Sequence, residues 1–481
     1  MMTFTVIRIA SVVIGIIGAT YSIPIAVALF CGETEVIQSF LVPMLASVVI
    51  AFVCVFLGRG KKTRLSTRGA FSVVAVSWLS ACFFGSIPLY ASGAIPNFTN
   101  AIFESVSGFT TTGGTILSDA ECLPRSINLW RCQMHWLGGM GIVALTVALL
   151  PLLGVGGFQM IKAETTGPEK GKLTPKITNT AKLLWFMYFG FTVVQTVLLM
   201  IAGMDFVDAL SHSFSTLGTG GFSSKNASIG AYQSASIDII CTVFMFFAGV
   251  NFSLYYYILT GKVQDALRDS ELRVYVGIVV LESLAIAFFE SSTYGGFFSS
   301  LRYSSFQVLS VMSTTGYATA DYTLWSPASQ MLIFFLFFSG GCSGSTAGGV
   351  KVIRWTILAK QFHNEVQRMI HPHGVFTVRL NQKAGRKDVV FNVAAFIFIY
   401  IMMVLITTFI TTLFGIDLFT SFTGALSMMG NVGPAFNKLG PSCNYGFLPD
   451  AVKWLYSFVM LAGRLEIYTM IIYFFPLYWK R

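Results

Sequence analysis

Apolar stretches long enough to cross a bilayer recur along the whole chain, separated by short polar connections. A spanning helix needs about 20 predominantly apolar residues. By that measure spans are expected at 5–30, 38–57, 70–90, 128–154, 182–203, 236–260, 274–290, 328–338 with a continuation to about 357, 389–413 and 450–478, ten in all. Four intervening segments fit neither span nor loop. Residues 97–117, 205–223, 298–320 and 417–436 are too short to cross and too apolar to be plain connections. Each opens as a short helix-like run and ends in Thr or Ser, Gly and polar residues. Such runs read as re-entrant segments, because irregular backbone at membrane depth is tolerated only where it is buried or lines a cavity. The expected fold class is all-α integral membrane, ten spanning helices with four re-entrant pore loops.

The unit helix, re-entrant loop, helix therefore occurs four times. Its turns read Thr110-Thr111-Thr112-Gly113, Leu217-Gly218-Thr219-Gly220, Ser313-Thr314-Thr315-Gly316 and Gly430-Asn431-Val432-Gly433. Punctuation repeated about every hundred residues marks an internal repeat. It divides the chain into an N-terminal helix pair at 1–69 and pore repeats at 70–165, 166–265, 266–370 and 371–481.

Composition agrees with a membrane protein. The 481 residues are 54% hydrophobic and 11% charged, against about 25% charged in soluble domains. The net charge of +10 raises nucleic acid as a partner, but its distribution argues against one. Arg59, Lys61, Lys62, Arg64 and Arg68 follow the second span. Lys162, Lys170, Lys172, Lys176 and Lys182 follow the fourth, and Lys262, Arg268 and Arg273 the sixth. Arg354, Lys360, Arg368, Arg379, Lys383, Arg386 and Lys387 follow the eighth, and Lys480 and Arg481 end the chain. With alternating spans these all fall on one side, which is then cytoplasmic, as are both termini. The first apolar run is too long for a signal peptide. The eight Cys form no framework; an outward Cys122–Cys443 bond is conceivable only if the geometry allows it.

Four Gly-bearing turns suit cation passage. A ring of backbone carbonyls can replace a cation's hydration shell without net charge, and Gly enters φ > 0 without steric cost. Short helices entering from outside would aim their negative C-terminal ends at the centre. A single Thr-Gly would read as an ordinary packing contact; four equivalent ones reverse that judgement. Arg464 lies mid-span, where charge is costly and functional by default. Glu466, two residues on, faces away from it on a helix. Arg464 is therefore expected near the pore beneath the turns, as a barrier or gate element. The stretch Ser339-Gly340-Gly341-Cys342-Ser343-Gly344-Ser345-Thr346-Ala347-Gly348-Gly349-Val350-Lys351 interrupts the eighth span. Helix persists poorly through so many Gly, so a gating loop is expected there, with a small-residue packing seam as the alternative. It is not a phosphate loop, since Val350 separates Gly349 from Lys351. Asp205, Asp208 and Asp417 stand where short helices begin and are expected to cap them. Glu104 also lies in an apolar segment. Glu282 is expected to pair with another span, and His135 and His212 to be packed, hydrogen-bonded residues. No nucleophile–base pair stands out, so an enzyme is not expected.

These stretches, with Ser107–Gly114, His135–Val143 and Gly463-Arg464-Leu465-Glu466, resemble the Trk/Ktr/HKT superfamily of K⁺ transporters, within it the bacterial TrkH/TrkG membrane-subunit family. The resemblance covers nearly the whole chain. It implies K⁺ uptake across a bacterial inner membrane, with K⁺ held by the sixteen turn residues above and no covalently bound cofactor. Gly113, Gly220, Gly316 and Gly433 would be the filter glycines. Gating would lie with Gly340, Gly341, Gly344, Gly348, Gly349, Lys351 and Arg464. A homodimer is implied, with a cytoplasmic ring of TrkA-type subunits that binds nucleotide, which this chain would not. Gly113, where some Na⁺-selective relatives have Ser, favours K⁺. Leu217-Gly218 and Gly430-Asn431 depart from an all-Thr/Ser filter, so discrimination is expected to be modest. The residues leave open whether flux is channel-like or coupled to H⁺ or Na⁺.

Overall fold

The computed structural model describes residues 4–58, 67–141, 177–381, 383–384 and 387–479. The basic residues Arg59, Lys61, Lys62, Arg64, Lys162, Lys170, Lys172, Lys176, Arg386, Lys480 and Arg481 lie outside these, as do the end of the expected 128–154 span and the boundary at 165. The described chain is helical apart from one two-residue pairing, Arg379–Leu380 with Lys383–Ala384.

Six helices are long and apolar enough to cross a membrane: Thr5–Cys31, Thr34–Leu57, Arg68–Ala91, Thr180–Ile201, Ser270–Phe289 and Val389–Leu413. Two more are bent pairs, Ala235–Gly249 with Phe252–Leu259 at 95° and Asp450–Arg464 with Tyr468–Phe474 at 117°. Among the described residues eight of the ten expected spans are matched, six by single helices and two by bent pairs. The expected 328–338 span is a ten-residue helix, Pro327–Leu336. A non-helical stretch follows it before Val352–Ile370. The Arg125–Gly139 helix has 15 residues. Two of these interruptions fall at glycine, Gly139 and Gly249, where helix propensity is poor. Three of the long helices, Thr180–Ile201, Ser270–Phe289 and Val389–Leu413, present Phe186, Leu281, Phe288, Phe391, Phe398 and Phe409 outward, as a lipid-facing belt requires.

Four shorter helices sit inside: Phe98–Phe109, Phe206–Gly218, Phe297–Met312 and Leu418–Gly430. At 12 to 16 residues and about 1.5 Å per residue, each is too short for the roughly 30 Å of hydrocarbon. Asn97, Asp205 and Asp417 cap three of them by accepting from Asn100, Val207 and Thr420 N–H groups. Asp208 is no cap. It accepts from Ser224 Oγ at 2.8 Å and Tyr232 OH at 3.2 Å, because it lies a turn inside the helix, facing the returning chain. Buried hydroxyls on these helices bond back one turn, as Ser211 does to Val207 and Thr216 to His212. That satisfies them without breaking the helix.

The N-terminal pair is tied to the first repeat. The Glu33 carboxylate accepts from the Arg125 and Ser126 N–H groups, a negative charge at a helix N-terminus. Gln133 Nε2 donates to Thr20 O at 2.8 Å. Deeper in, Arg131 and Glu104 pair at 2.6 Å, both fully buried. Glu104 also accepts from Thr115 Oγ1 and Ile116 N–H, while Arg131 reaches Ser223 O and covers the Phe222 ring. The pair braces the segments leaving the first and second turns. Cys122 and Cys443 are free and exposed. Glu282 forms no ion pair among the described residues, and its Oε2 has no hydrogen-bond partner.

Arg131→Met should lower stability by about 3–5 kcal/mol, because it leaves the Glu104 carboxylate buried and unpaired. Adding Glu104→Gln should recover part of the loss. Thermal melts in detergent read both effects; an Arg131→Met protein that melts with the parent would remove the pair from the scaffold.

Candidate functional site

The four short helices end alike. Thr111, Thr219, Thr314 and Asn431 have left-handed backbone, with φ of 55°, 54°, 56° and 54°. Their N–H groups bond three residues back, to Gly108, Thr216, Val311 and Met428. The next residues, Thr112, Gly220, Thr315 and Val432, donate five residues back to Ser107, Ser215, Ser310 and Ser427, at 2.8–3.0 Å. This double closure is a Schellman motif, which normally places Gly or Asn at the left-handed position. A β-branched Thr there is a conformational outlier, and such outliers persist where surrounding structure imposes them.

One residue further on come Gly113, Gly221, Gly316 and Gly433, with φ of 76°, 84°, 78° and 98°. These four meet in cyclic order. A Cβ on Gly113 would lie 2.5 Å or less from Gly220 O, one on Gly221 from Thr315 O, one on Gly316 from Val432 O, and one on Gly433 from Thr112 O. Each turn thus packs its glycine against the carbonyl before the next glycine, and the fourth returns to the first. The second turn is displaced by one residue from the sequence expectation. Gly221, not Gly220, is equivalent to Gly113, and the quartet 218–221 replaces 217–220, leaving Leu217 inside the helix. A cavity of ≈ 160 Å³ opens on the ring and is lined by all four of these glycines, with room for several waters.

The residues before the ring glycines differ in their support. Thr110 and Thr112 hydroxyls are 2.8 Å apart, and Ser313 and Thr315 hydroxyls 2.7 Å. Thr219 donates to Thr346 O at 3.0 Å. Asn431 Nδ2 donates to Thr112 Oγ1 at 2.9 Å and Met460 O at 3.0 Å.

The stretch 340–351 folds as a hydrogen-bonded loop against these turns. Gly348 N–H donates to Thr314 Oγ1 at 2.7 Å. A Cβ on Gly348 would lie 2.7 Å from Gly430 O. Gly340 N–H donates to Val350 O, and Cys342 and Thr346 N–H groups to Gly249 and Ala248 carbonyls. Gly344 O accepts from Phe252 N–H, and Gly341 O from Val352 N–H. Gly344 and Gly349 hold positive φ. Lys351 turns its ammonium back onto Ala347 O. Glu271 accepts from Ser343 N–H at 2.8 Å and from Ile353 N–H at 3.1 Å. The loop is held by hydrogen bonds within itself and to its neighbours, and by close packing at Gly340, Gly341 and Gly348.

Arg464 joins the same layer. It donates to Thr346 O at 2.9 Å, Gly138 O at 2.7 Å and Gly139 O at 3.0 Å. The latter two are end carbonyls of the Arg125–Gly139 helix, where a cation is favourable. The Glu466 carboxylate meets Arg354 from the helix after the loop. Sequence reasoning missed Gly221, the role of Asn431's side chain, Arg131 and Glu271. Only Gly221 left a readable trace, in the serine six residues before each ring glycine.

The TrkH family model, described as a cation transport protein, matches residues 37–282 and 298–480. The Trk system potassium uptake protein TrkH of Halomonas elongata is 37% identical over 99% of both chains. That of Escherichia coli K12 is 36% identical over 88% of both, and its TrkG is 32% identical over 95% of this chain and 94% of its own. The crystal structure of the potassium transporter TrkH from Vibrio parahaemolyticus superimposes with a TM-score of 0.87 at 32% identity, each chain fully covered. These relatives are named as transporters, not enzymes. With its apolar spans and its ring of turns, this chain is a multi-pass membrane protein belonging to the TrkH family of cation transport proteins.

Proposed function

We propose that this chain takes up K⁺ across a bacterial inner membrane, through the ring formed by the four turns. The observation that carries this reading is the cyclic contact of Gly113, Gly221, Gly316 and Gly433 with their neighbours' carbonyls. A closed ring of carbonyls can stand in for a cation's water. The carbonyls of 110–112, 218–220, 313–315 and 430–432 are the candidate ligands. The four short helices direct their C-terminal ends to this point, so their dipoles favour a cation without any carboxylate. The four short segments then act as re-entrant pore loops.

The 340–351 loop and Arg464 form the gate in this reading. Between them they touch all four repeats: Gly138 in the first, Thr219 and Ala248 in the second, Thr314 in the third, Gly430 in the fourth. The loop continues directly into Val352–Ile370, which carries Lys360 and Arg368 and lies on the basic, cytoplasmic side together with both termini. That helix gives a cytoplasmic ring of nucleotide-binding TrkA-type subunits a lever on the gate. The working unit is a homodimer with one pore per protomer.

Expression should restore growth of a K⁺-uptake-deficient bacterium at low K⁺, and the purified chain with its ring and nucleotide should pass K⁺ or Rb⁺ in liposomes. No flux under those conditions would sink the proposal. Gly113→Ser should lower the K⁺/Na⁺ ratio, since its Cβ must push the Gly220 carbonyl aside; an unchanged ratio would count against Gly113 as a filter residue. Arg464→Ala leaves Gly138, Gly139 and Thr346 carbonyls short of a donor. It should raise basal leak without nucleotide, and tight vesicles would assign Arg464 a structural role alone.

A further inference from the structure

Three of the four turns carry a side chain immediately before the ring glycine: Thr112, Thr315 and Val432. In the second turn that position is Gly220. The space its side chain would take is filled by His135, from the Arg125–Gly139 helix of the preceding repeat. A Cβ on Gly220 would lie 2.5 Å or less from the His135 Cγ, Nδ1 and Cδ2 atoms. The ring is fully buried and stacks on Phe222, with centroids 4.2 Å apart and planes 25° from parallel. Its Nδ1 lies 2.9 Å from Ser215 Oγ, and Ser215 O accepts the Gly220 N–H at 2.9 Å. His135 therefore touches both partners of the bond that closes the second turn, and also the residue after its ring glycine.

A space-filling role alone would favour an apolar side chain. The His135 Nε2 is buried without a hydrogen bond, an arrangement that costs stability and calls for a reason. A flat ring with one polar edge meets two needs at once. It fits the slot beside Gly220 and holds the Ser215 hydroxyl.

We propose that His135 serves as the missing side chain of Gly220, a positioning residue that fixes the Gly220 carbonyl against Gly113 and so sets the ion preference of the ring. This rests on the reading of the ring as a cation filter.

The test compares K⁺/Na⁺ flux ratios in liposomes for the full chain, His135→Ala, Gly220→Thr and the double variant. His135→Ala should lower the ratio roughly 2- to 10-fold, the span of one lost hydrogen bond. Gly220→Thr should reduce flux by collision with the imidazole. The double variant should regain selectivity over His135→Ala, because Thr then fills the slot as it does at Thr112 and Thr315. A folded His135→Ala protein with the parental ratio, or a double variant no better than His135→Ala, overturns the proposal. Should His135→Ala not fold, His135→Gln makes the same comparison, keeping a polar group near Ser215 without the flat ring. A parent chain that passes no cation defeats the filter reading itself, and this inference with it.

Discussion

A helix that stops inside a packed core leaves its last four carbonyls without partners, and apolar side chains supply none. This chain places four such ends at its centre, at Phe109, Gly218, Met312 and Gly430. Further helices stop at Gly139, Gly249, Leu336 and Arg464. Much of the interior follows from how those carbonyls are met. At the four central ends the Schellman closure satisfies two carbonyls each and turns the chain sharply enough to bring the next residues onto a neighbouring turn. At the other ends, Gly138 and Gly139 are met by the Arg464 guanidinium, and Ala248 and Gly249 by amides of the 340–351 loop. The oxygens of Thr112, Gly220, Thr315 and Val432 face the glycine of the preceding turn in cyclic order.

The same requirement couples the 340–351 loop to the ring. The loop amides that satisfy Ala248 and Gly249 belong to the segment whose Thr346 carbonyl and Gly348 amide bond Thr219 and Thr314. The loop cannot move without stranding carbonyls at a broken helix, and each stranded buried group costs about 1–3 kcal/mol. Water entering behind the moving loop would remove that cost. Displacing the loop therefore requires water behind it, in place of the hydrogen bonds that hold it. Glu271 adds to this from outside the ring, since its carboxylate holds Ser343 in the loop and Ile353 in the following helix together.

The fourfold plan was legible because it is written twice, in short apolar runs and in Thr–Gly punctuation. Arg464 was legible as a residue that needs buried partners because charge at mid-span demands an explanation. Its partners were not, because helix-end carbonyls in a distant repeat leave no trace in residue type. The register of the second turn misled for a simple reason: Gly220 and Gly221 are adjacent, and Thr219-Gly220 imitates the other Thr–Gly pairs. The bends at Gly249 and Arg464 lie inside apolar runs that read as continuous spans. Asp208 sits one turn beyond a capping position, close enough to pass for one until the returning Ser224 and Tyr232 are seen beside it.

Identical subunits around a fourfold axis would have to use four identical turns. One chain that supplies all four quarters is free of that constraint, and this one uses the freedom selectively. The backbone is held constant: φ at the left-handed residue varies by only 2° among the four turns. The layer behind it is not. Turns one and three brace themselves with hydroxyl pairs, Thr110 with Thr112 and Ser313 with Thr315. Turns two and four lean on groups from elsewhere, through Thr219 to the loop and Asn431 to Thr112 and Met460. A cation needs near-equivalent oxygens, which constrains the backbone; a single loop from the third repeat must reach the ring unevenly, which constrains only what lies behind it. Sequence divergence among the turns is thus permitted wherever the backbone closure survives, and it is in that second layer that Asn431 departs from the Thr of its counterparts and Gly220 from the side chains of Thr112, Thr315 and Val432.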